Sequence, residues 1–569
     1  MPRLQALALV LGLAIGLATA PEASAQAQFR EVAAERGISG YHMATGMGGS
    51  VSAADYDDDG DIDLFLPNGP RHPDQLFRNL GDGHFEEVAA AVGLASLESH
   101  RSSLWVDIDA DRDLDLVVTG GDCYALACGP GVKNLSVYEQ VTPDEFREVT
   151  FRSGLLFGAG LTQSPHASAI SAGDANRDGY LDLILGLWAG KSPLFLNQQD
   201  GSFIEDPQFQ GGLENDHFWQ SVWHDFDGDG WQDILVAIDF DRNHLFLNQR
   251  DGTFVDVAPA LGIDNAMNDM GLTLGDYDND GDFDYYITNV FDFTGRGERN
   301  VLYRNLSERG TLAFEEVGRR AGVDQGEWGW GCTFFDCDND AWLDLAATNG
   351  FGYGHWRSDR SRFFMNPGAP PFVFREAGQH VGFADGYWGS SLVAADIDRD
   401  GDLDLLQTTN LGGPFRLLLN ETSRGAGQSH YLSIRPRMDG PNHRAIGAVV
   451  HVEAGGLEMV RLITAGTGFM GQEPAEAFFG LGAATIVDRL RVDWPDGDVT
   501  EWTRVAVDQL RTVVPGGTPG DLDMDADVDE QDLHALLRSW GPCAGCEADL
   551  NGDGVVDLAD LLLLVENWG

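Results

Sequence analysis

Residues 276–285 read DYDNDGDFDY, and this acidic ladder, closed by a further Asp and an apolar run, decides the reading of the chain. The pattern returns six more times. It stands at Asp55 (DYDDDGDIDL), Asp107 (DIDADRDLDL), Asp174 (DANRDGYLDL), Asp225 (DFDGDGWQDI), Asp336 (DCDNDAWLDL) and Asp396 (DIDRDGDLDL). Successive copies start 52, 67, 51, 51, 60 and 60 residues apart. Self-similarity at such a period marks a repeat architecture.

The chemistry of the loop is that of a hard cation. Ca²⁺ prefers about six to eight oxygen ligands. Carboxylates at loop positions 1, 3, 5 and 9, with a backbone carbonyl near 7, can wrap one ion. In chain order the candidate ligands are Asp55, Asp57, Asp59 and Asp63; Asp107, Asp109, Asp111 and Asp115; and Asp174, Asn176, Asp178 and Asp182. Then follow Asp225, Asp227, Asp229 and Asp233; Asp276, Asp278, Asp280 and Asp284; Asp336, Asp338, Asp340 and Asp344; and Asp396, Asp398, Asp400 and Asp404. Position 6 needs a sharp turn, which Gly supplies without steric cost. Arg112 and Ala341 replace that Gly and leave the occupancy of their loops open. Position 12 lacks the acid of an EF-hand, and strand-like runs such as Leu64-Phe65-Leu66 follow instead.

Each repeat continues with an apolar pair, an Asn, a turn and Phe-x-x-Val, as in LFRNLGDGHFEEV (76–88) and LFLNQRDGTFVDV (245–257). This predicts four short strands per repeat. The seventh repeat lacks its last strand after LLLN (417–420), while Phe29-Arg30-Glu31-Val32 supplies the missing piece at the N-terminal end. A ring closed in this way is a β-propeller of seven blades. The fold class is therefore mainly β: a seven-bladed β-propeller, a small β module and a small helical calcium-loop domain. Residues 29–420 resemble the FG-GAP/VCBS repeats of integrin-α-like propellers. That resemblance implies Ca²⁺ in the loops, up to seven ions, and a role in adhesion or ligand recognition.

Expected boundaries are a signal peptide at 1–25, the propeller at 26–424, a β module at 425–514, a linker at 515–520 and a tail domain at 521–569. The module carries Ala445-Ile446-Gly447-Ala448, Gly466-Thr467-Gly468-Phe469, Phe479-Gly480-Leu481-Gly482 and Val492-Asp493-Trp494-Pro495-Asp496-Gly497. It resembles the ASPIC/UnbV module of cartilage-acidic-protein-like chains. Gly466-Thr467-Gly468-Phe469-Met470-Gly471 matches GxGxxG formally, but without a βαβ unit its glycines are expected to serve a turn or bulge.

The tail repeats a different loop at a period of 28 residues. Its candidate ligands are Asp521, Asp523, Asp525, Asp529 and Asp532, then Asp549, Asn551, Asp553, Asp557 and Asp560. Helices are predicted over Leu533–Trp540 and Leu561–Trp568. The pair resembles a type I dockerin, which implies two further Ca²⁺ ions and docking to a cohesin-like or cell-envelope partner.

With 36 Lys+Arg against 91 Asp+Glu the net charge is −55, which excludes a nucleic-acid partner and an anionic membrane surface. Arg3, the apolar run Leu4–Ala20 and Ala23-Ser24-Ala25 read as an export signal, with no membrane span after its removal. In a secreted or cell-surface protein the close pairs Cys123/Cys128, Cys332/Cys337 and Cys543/Cys546 are expected to form local disulfides.

No HExxH, GxSxG or P-loop motif occurs, so a non-catalytic binder of a protein or glycan is expected. The alternative is a dockerin-borne polysaccharide-processing protein of the glycoside-hydrolase type. Aromatic segments ahead of three loops, Phe218-Trp219, Trp328-Gly329-Trp330 and Tyr387-Trp388, are either inter-blade packing or a ligand surface.

Overall fold

The computed structural model describes residues 28–566 and 568 apart from 44–47, 121–134, 156–166, 189, 210–212, 214–216, 291–298, 308–310, 327, 353, 423–428, 517–519, 521, 523–527, 529, 543–547, 549 and 551–554. The expected export signal, Cys123/Cys128 and Cys543/Cys546 fall outside the described residues.

Strand pairing over 29–420 gives seven antiparallel sheets, six of four strands and one of five, as in a β-propeller. In the first sheet Ser52–Ala54, Asp63–Leu66, Gln75–Asn79 and Phe85–Glu87 follow one another in chain order. The acidic loop always joins the first strand to the second. In all seven sheets the second strand begins on the Asp at loop position 9, from Asp63 to Asp404. The last sheet takes its fourth strand from Phe29–Glu31, with Phe29 opposite Asn420. The five-stranded sheet gains Ala266–Asn268 beside Asp233–Arg242.

The first strands are buried along their length, as in His100–Val106, Ala167–Gly173 and Gly389–Ala395. Covered on both faces, they lose the in/out alternation of a half-exposed strand. Their many Ser, Ala and Gly residues let neighbouring sheets approach closely. Hydroxyls then pass from sheet to sheet: Ser52 donates to the Ser103 carbonyl (2.8 Å) and Thr119 to that of Ser168 (2.9 Å). Thr348 donates to the Ser390 carbonyl (2.7 Å), and Thr408 returns from the last sheet to Gly49 beside the first (2.6 Å).

Cys332 and Cys337 are both free and buried, which corrects the disulfide expected for that pair. Cys332 lies in the strand Gly329–Phe335, and Cys337 stands just beyond its end. An odd separation along extended chain sends side chains to opposite faces. Accordingly, Cys332 packs with Tyr286 and Leu345, and Cys337 with Phe335 and Phe363, in separate cores.

The following module has two sheets. One pairs Leu457–Leu462, Val449–Ala454, Val487–Asp493 and Val499–Val505; the other pairs Ala477–Gly482, His430–Pro436 and Gln509–Val513. Its core is continuous with that of the second and third sheets, where Leu104, Leu183, Leu432, Val450 and Trp494 belong to one apolar cluster.

In the tail, helices Glu530–Arg538 and Leu558–Glu566 pack together, over Val528, Leu536, Val556 and Leu564. Both start earlier than the sequence predicts. Among the described residues no helix is long and apolar enough to cross a membrane.

Candidate metal loops and the module that covers them

All seven propeller loops share one backbone form. Position 6 is left-handed whether it is Gly60 (φ 100°), Gly281 (φ 93°), Arg112 (φ 82°) or Ala341 (φ 79°). Position 4 is left-handed too, at Asp58, Ala110, Arg177, Gly228, Asn279, Asn339 and Arg399. That second turn was not legible in the sequence, because six of these seven residues carry a Cβ. The loop closes because the position 1 carboxylate accepts the N–H of position 6, from Gly60 to Asp55 (3.2 Å) through Gly401 to Asp396 (3.0 Å). Arg112 and Ala341 make the same bond, at 3.0 and 2.8 Å.

Position 9 works as a clamp. Both Asp63 oxygens accept backbone N–H groups, one from Tyr56 (3.3 Å) and one from Asn79 (2.8 Å). Asp115, Asp182, Asp233, Asp284, Asp344 and Asp404 repeat the pattern. The Asn that ends the third strand then reaches the neighbouring sheet. The Asn248 amide donates to the Ala175 carbonyl (2.8 Å), Asn366 to Tyr277 (2.8 Å) and Asn420 to Cys337 (2.8 Å). Asn79 donates to the Ile397 carbonyl (2.9 Å) and so joins the first sheet to the last. This Asn was expected in each repeat; it stands in six, with Gln140 in its place in the second, and its bridging task was missed although its recurrence at a fixed offset was the signal.

The donor set fits a divalent ion. Carboxylate oxygens of Asp55, Asp57 and Asp63 lie within 4.8 Å of one another, as do those of Asp107, Asp109 and Asp115, and those of Asp276, Asp278 and Asp284. At the fourth loop the group is Asp225, Asp227 and Asp229; at the sixth, Cys337 joins Asp338 and Asp344. Position 5 is more exposed and accepts a local N–H, as in Asp61 to Asp59 (3.0 Å), Asp113 to Asp111 (3.2 Å), Tyr180 to Asp178 (3.0 Å) and Asp402 to Asp400 (2.9 Å). Asn176 is exposed. Oxygens of Asp55, Asp57, Asp109, Asp278 and Asp338 are buried without a hydrogen-bond partner, which is costly unless a cation meets them. Burial pushes Asp63 and Asp115 up to about 9 and Asp182 and Asp233 up to about 8; neighbouring loop carboxylates add to the rise and the clamped backbone N–H groups oppose it.

In the tail, Asp532 and Asp560 are buried. Asp560 accepts the N–H of Asp557 (2.8 Å), and Asp532 that of Leu522 (2.5 Å). Asp521, Asp523, Asp525, Asp529, Asp549, Asn551 and Asp553 lie outside the described residues.

The module sits over the loop-bearing face. Arg435 lies 3.3 Å from the Asp55 carboxylate, and Arg444 2.9 Å from that of Asp58. Glu476 receives Arg399 and Arg435, each at 2.7 Å, and both arginines also bond the Gly60 carbonyl. Burial alone would raise Glu476, but the two guanidinium groups outweigh it and hold it at about 2.

The segment 465–472 enters the ring itself. Its backbone accepts from Ala53, Ser102, Ala172 and Leu392, on the first strands of four sheets, at 2.7–3.0 Å. Met470 donates to Gln220 of a fifth (2.7 Å). Phe469 lies 5.3 Å from Trp219 and 5.4 Å from Trp330, ring centre to ring centre. A Cβ on Gly468 would stand 2.2 Å from the Leu392 carbonyl, which explains the glycine. Phe218, Trp219 and Trp330 are thus fully buried, while Trp328 and Trp388 are half-buried and Tyr387 is exposed. The packing alternative holds for the first three.

Comparison with known proteins agrees with this architecture. The FG-GAP-like repeat model matches residues 55–118, 174–236 and 225–287, and the ASPIC and UnbV model matches 438–519. FG-GAP-like repeats and an ASPIC/UnbV domain are thus found in these segments of the chain. It is 27% identical to cartilage acidic protein 1 of Xenopus tropicalis over 285 residues, 50% of this chain and 42% of that one. It is 27% identical to the Homo sapiens protein over 297 residues, 51% and 42% of the two chains. The chain thus spans about two fifths of the length of the curated relatives it matches. A solved Agrocybe aegerita lectin specific for non-reducing terminal N-acetylglucosamine aligns with a TM-score of 0.39 at 16% identity, covering 64% of this chain and 86% of that one. That likeness is too loose to carry an argument.

Proposed function

We propose that this chain is a secreted, calcium-dependent recognition protein without catalytic activity. The seven sheets are the blades of one closed propeller that presents a ligand surface, and the tail docks the molecule to a cohesin-like or cell-envelope partner. The observation that carries the calcium reading is the common loop form with its buried, partnerless carboxylate oxygens. Asp at positions 1, 3 and 5 would hold the ion and position 9 would both hold it and clamp the third strand. The ion supplies charge neutralisation and rigidity rather than chemistry on a substrate. Metal analysis of the full chain dialysed against calcium should find up to seven ions in the propeller and two in the tail. Absence of bound calcium at about millimolar concentration, the range of extracellular calcium modules, would sink the reading.

The docking reading draws on the tail's exposed apolar side chains. Leu537, Trp540, Leu558, Leu562, Val565 and Trp568 are all exposed within a short stretch. Exposed apolar groups gathered in this way mark interaction sites. Surface plasmon resonance against immobilised cohesin domains tests it: capture lost on Leu562→Asp supports docking, and no capture by the calcium-loaded chain rejects it.

A further inference from the structure

A cleft of about 550 Å³ opens between the module and the third, fourth and fifth propeller loops. That volume falls within the roughly 300–1,000 Å³ of small-ligand sites. Its propeller wall includes Asp225, Asp227 and Asp282, with Asn305 and Ser307 beside them. The module wall is the row His451, Asp493 and Arg491. Asp493 is gripped by Arg491 (2.6 and 3.0 Å) and lies 3.2 Å from the His451 ring. Arg177 closes one end by donating to the Asp496 carbonyl (2.8 Å) in the Trp-Pro-Asp-Gly turn. Leu312 and Val449 give the cleft an apolar portion.

The fourth loop differs here from the fifth. Asp225 and Asp227 are only half-buried, whereas the matching Asp276 and Asp278 are fully buried. A loop of this kind would offer about five ligand groups to an ion that takes about six to eight oxygens, so an ion held there would have room for oxygens from outside. The module wall adds alternating donors and an acceptor. One divalent ion would offset two of the fourth loop's four carboxylates, and Arg177 and Arg491 face Asp282, Asp493 and Asp498, so the cleft keeps a negative excess that disfavours acidic sugars.

We propose that this cleft binds the hydroxyl-rich, uncharged end of a glycan, with Asp493, His451 and Arg491 ordering its hydroxyls opposite the Asp225 loop. The proposal rests on the calcium reading above and deepens it by naming the ligand class and its place.

The test is a neutral and acidic glycan array, with polyamines and cationic peptides as further probes, read with the labelled full chain in calcium. Asp493→Asn and His451→Gln are compared with the wild type, and metal content and melting temperature are measured for each. The expected result is binding of neutral glycans that falls at least tenfold in both variants while metal content and melting temperature hold. A calcium-loaded chain that binds no neutral glycan overturns the cleft reading and leaves the calcium reading standing. Preference for cationic or acidic probes, or glycan binding indifferent to both variants, overturns it as well. A chain that holds no calcium overturns both readings. If one variant loses its fold, the other decides.

Discussion

The loops at Asp225 and Asp336 share one motif and one backbone, yet their surroundings are opposite. At the sixth loop Asp336, Asp338, Asn339, Ala341 and Asp344 are all buried. Gly480 of the module lies so close that a Cβ there would stand 2.1 Å from an Asp336 oxygen. Asn339 donates to the Gly401 carbonyl (3.0 Å) and to Asp402 (2.8 Å), tying this loop to the next. At the fourth loop Gly228 and Gly230 are exposed, and the cleft stands where the module covers the sixth. One loop is a joint between domains and the other is a surface. A ligand motif therefore states what a loop can hold, and only its cover states whether anything else can reach it.

The largest test of this contrast removes metal from both loops together. Each site saturated to 100 times its Kd contributes about 2.7 kcal/mol. Chelation should lower the melting temperature by about 10 °C or more, measured by calorimetry. Hydrogen exchange should rise first at the Asp225 loop and later at the covered Asp336 loop; simultaneous opening would erase the distinction.

Next in size is the joint that holds the module down. Glu476→Gln leaves Arg399 and Arg435 facing each other with their shared anion gone, a loss of about 3–5 kcal/mol for a nearly buried network. Urea unfolding of both proteins measures it. The Glu476 carboxyl titrates near 2 in the fold against an ordinary 4.5. Its contribution is complete above about pH 4.5 and disappears as the pH falls toward 2. The two stability curves should converge over that range and stay parallel above it.

Gly468→Val should lift segment 465–472 out of the ring, since Gly468 has φ 64° and no room for a Cβ. Limited proteolysis between Asn420 and His430 should then speed up. An unchanged cleavage rate would show that the covering of the Asp336 loop does not depend on this insertion.

Smaller still is the stitch between sheets. Asn420→Ala strands the Cys337 and Leu403 carbonyls, a cost of about 1–3 kcal/mol. The matched Asn248→Ala should cost less if the open side of the ring rehydrates its freed carbonyls. The smallest change is a gain: Ala341→Gly at φ 79° should stabilise by about 1 kcal/mol, because a Cβ is strained in that conformation.

Much was legible without coordinates. The position 9 Asp announces each second strand, and the displaced Phe29-Arg30-Glu31 announces the strand that completes the last sheet, because strand pairing needs a local pattern and a partner of matching length. The motif spacing likewise placed the carboxylates that meet at Asp55, Asp107 and Asp276. The disulfide reading of Cys332 and Cys337 failed because proximity in sequence says nothing about which face a side chain takes.

The sequence by itself determined the repeat, its loops, the closing strand and the order of the parts, since each rests on local backbone preferences and side-chain chemistry. Only the tertiary structure decided that Gly466-Thr467-Gly468-Phe469-Met470-Gly471 enters the ring, that Glu476 locks two loops to the module, and that the Asp225 loop borders a cleft. Those outcomes depend on contacts between segments hundreds of residues apart, such as Ser102 with Met470, and no local pattern encodes them.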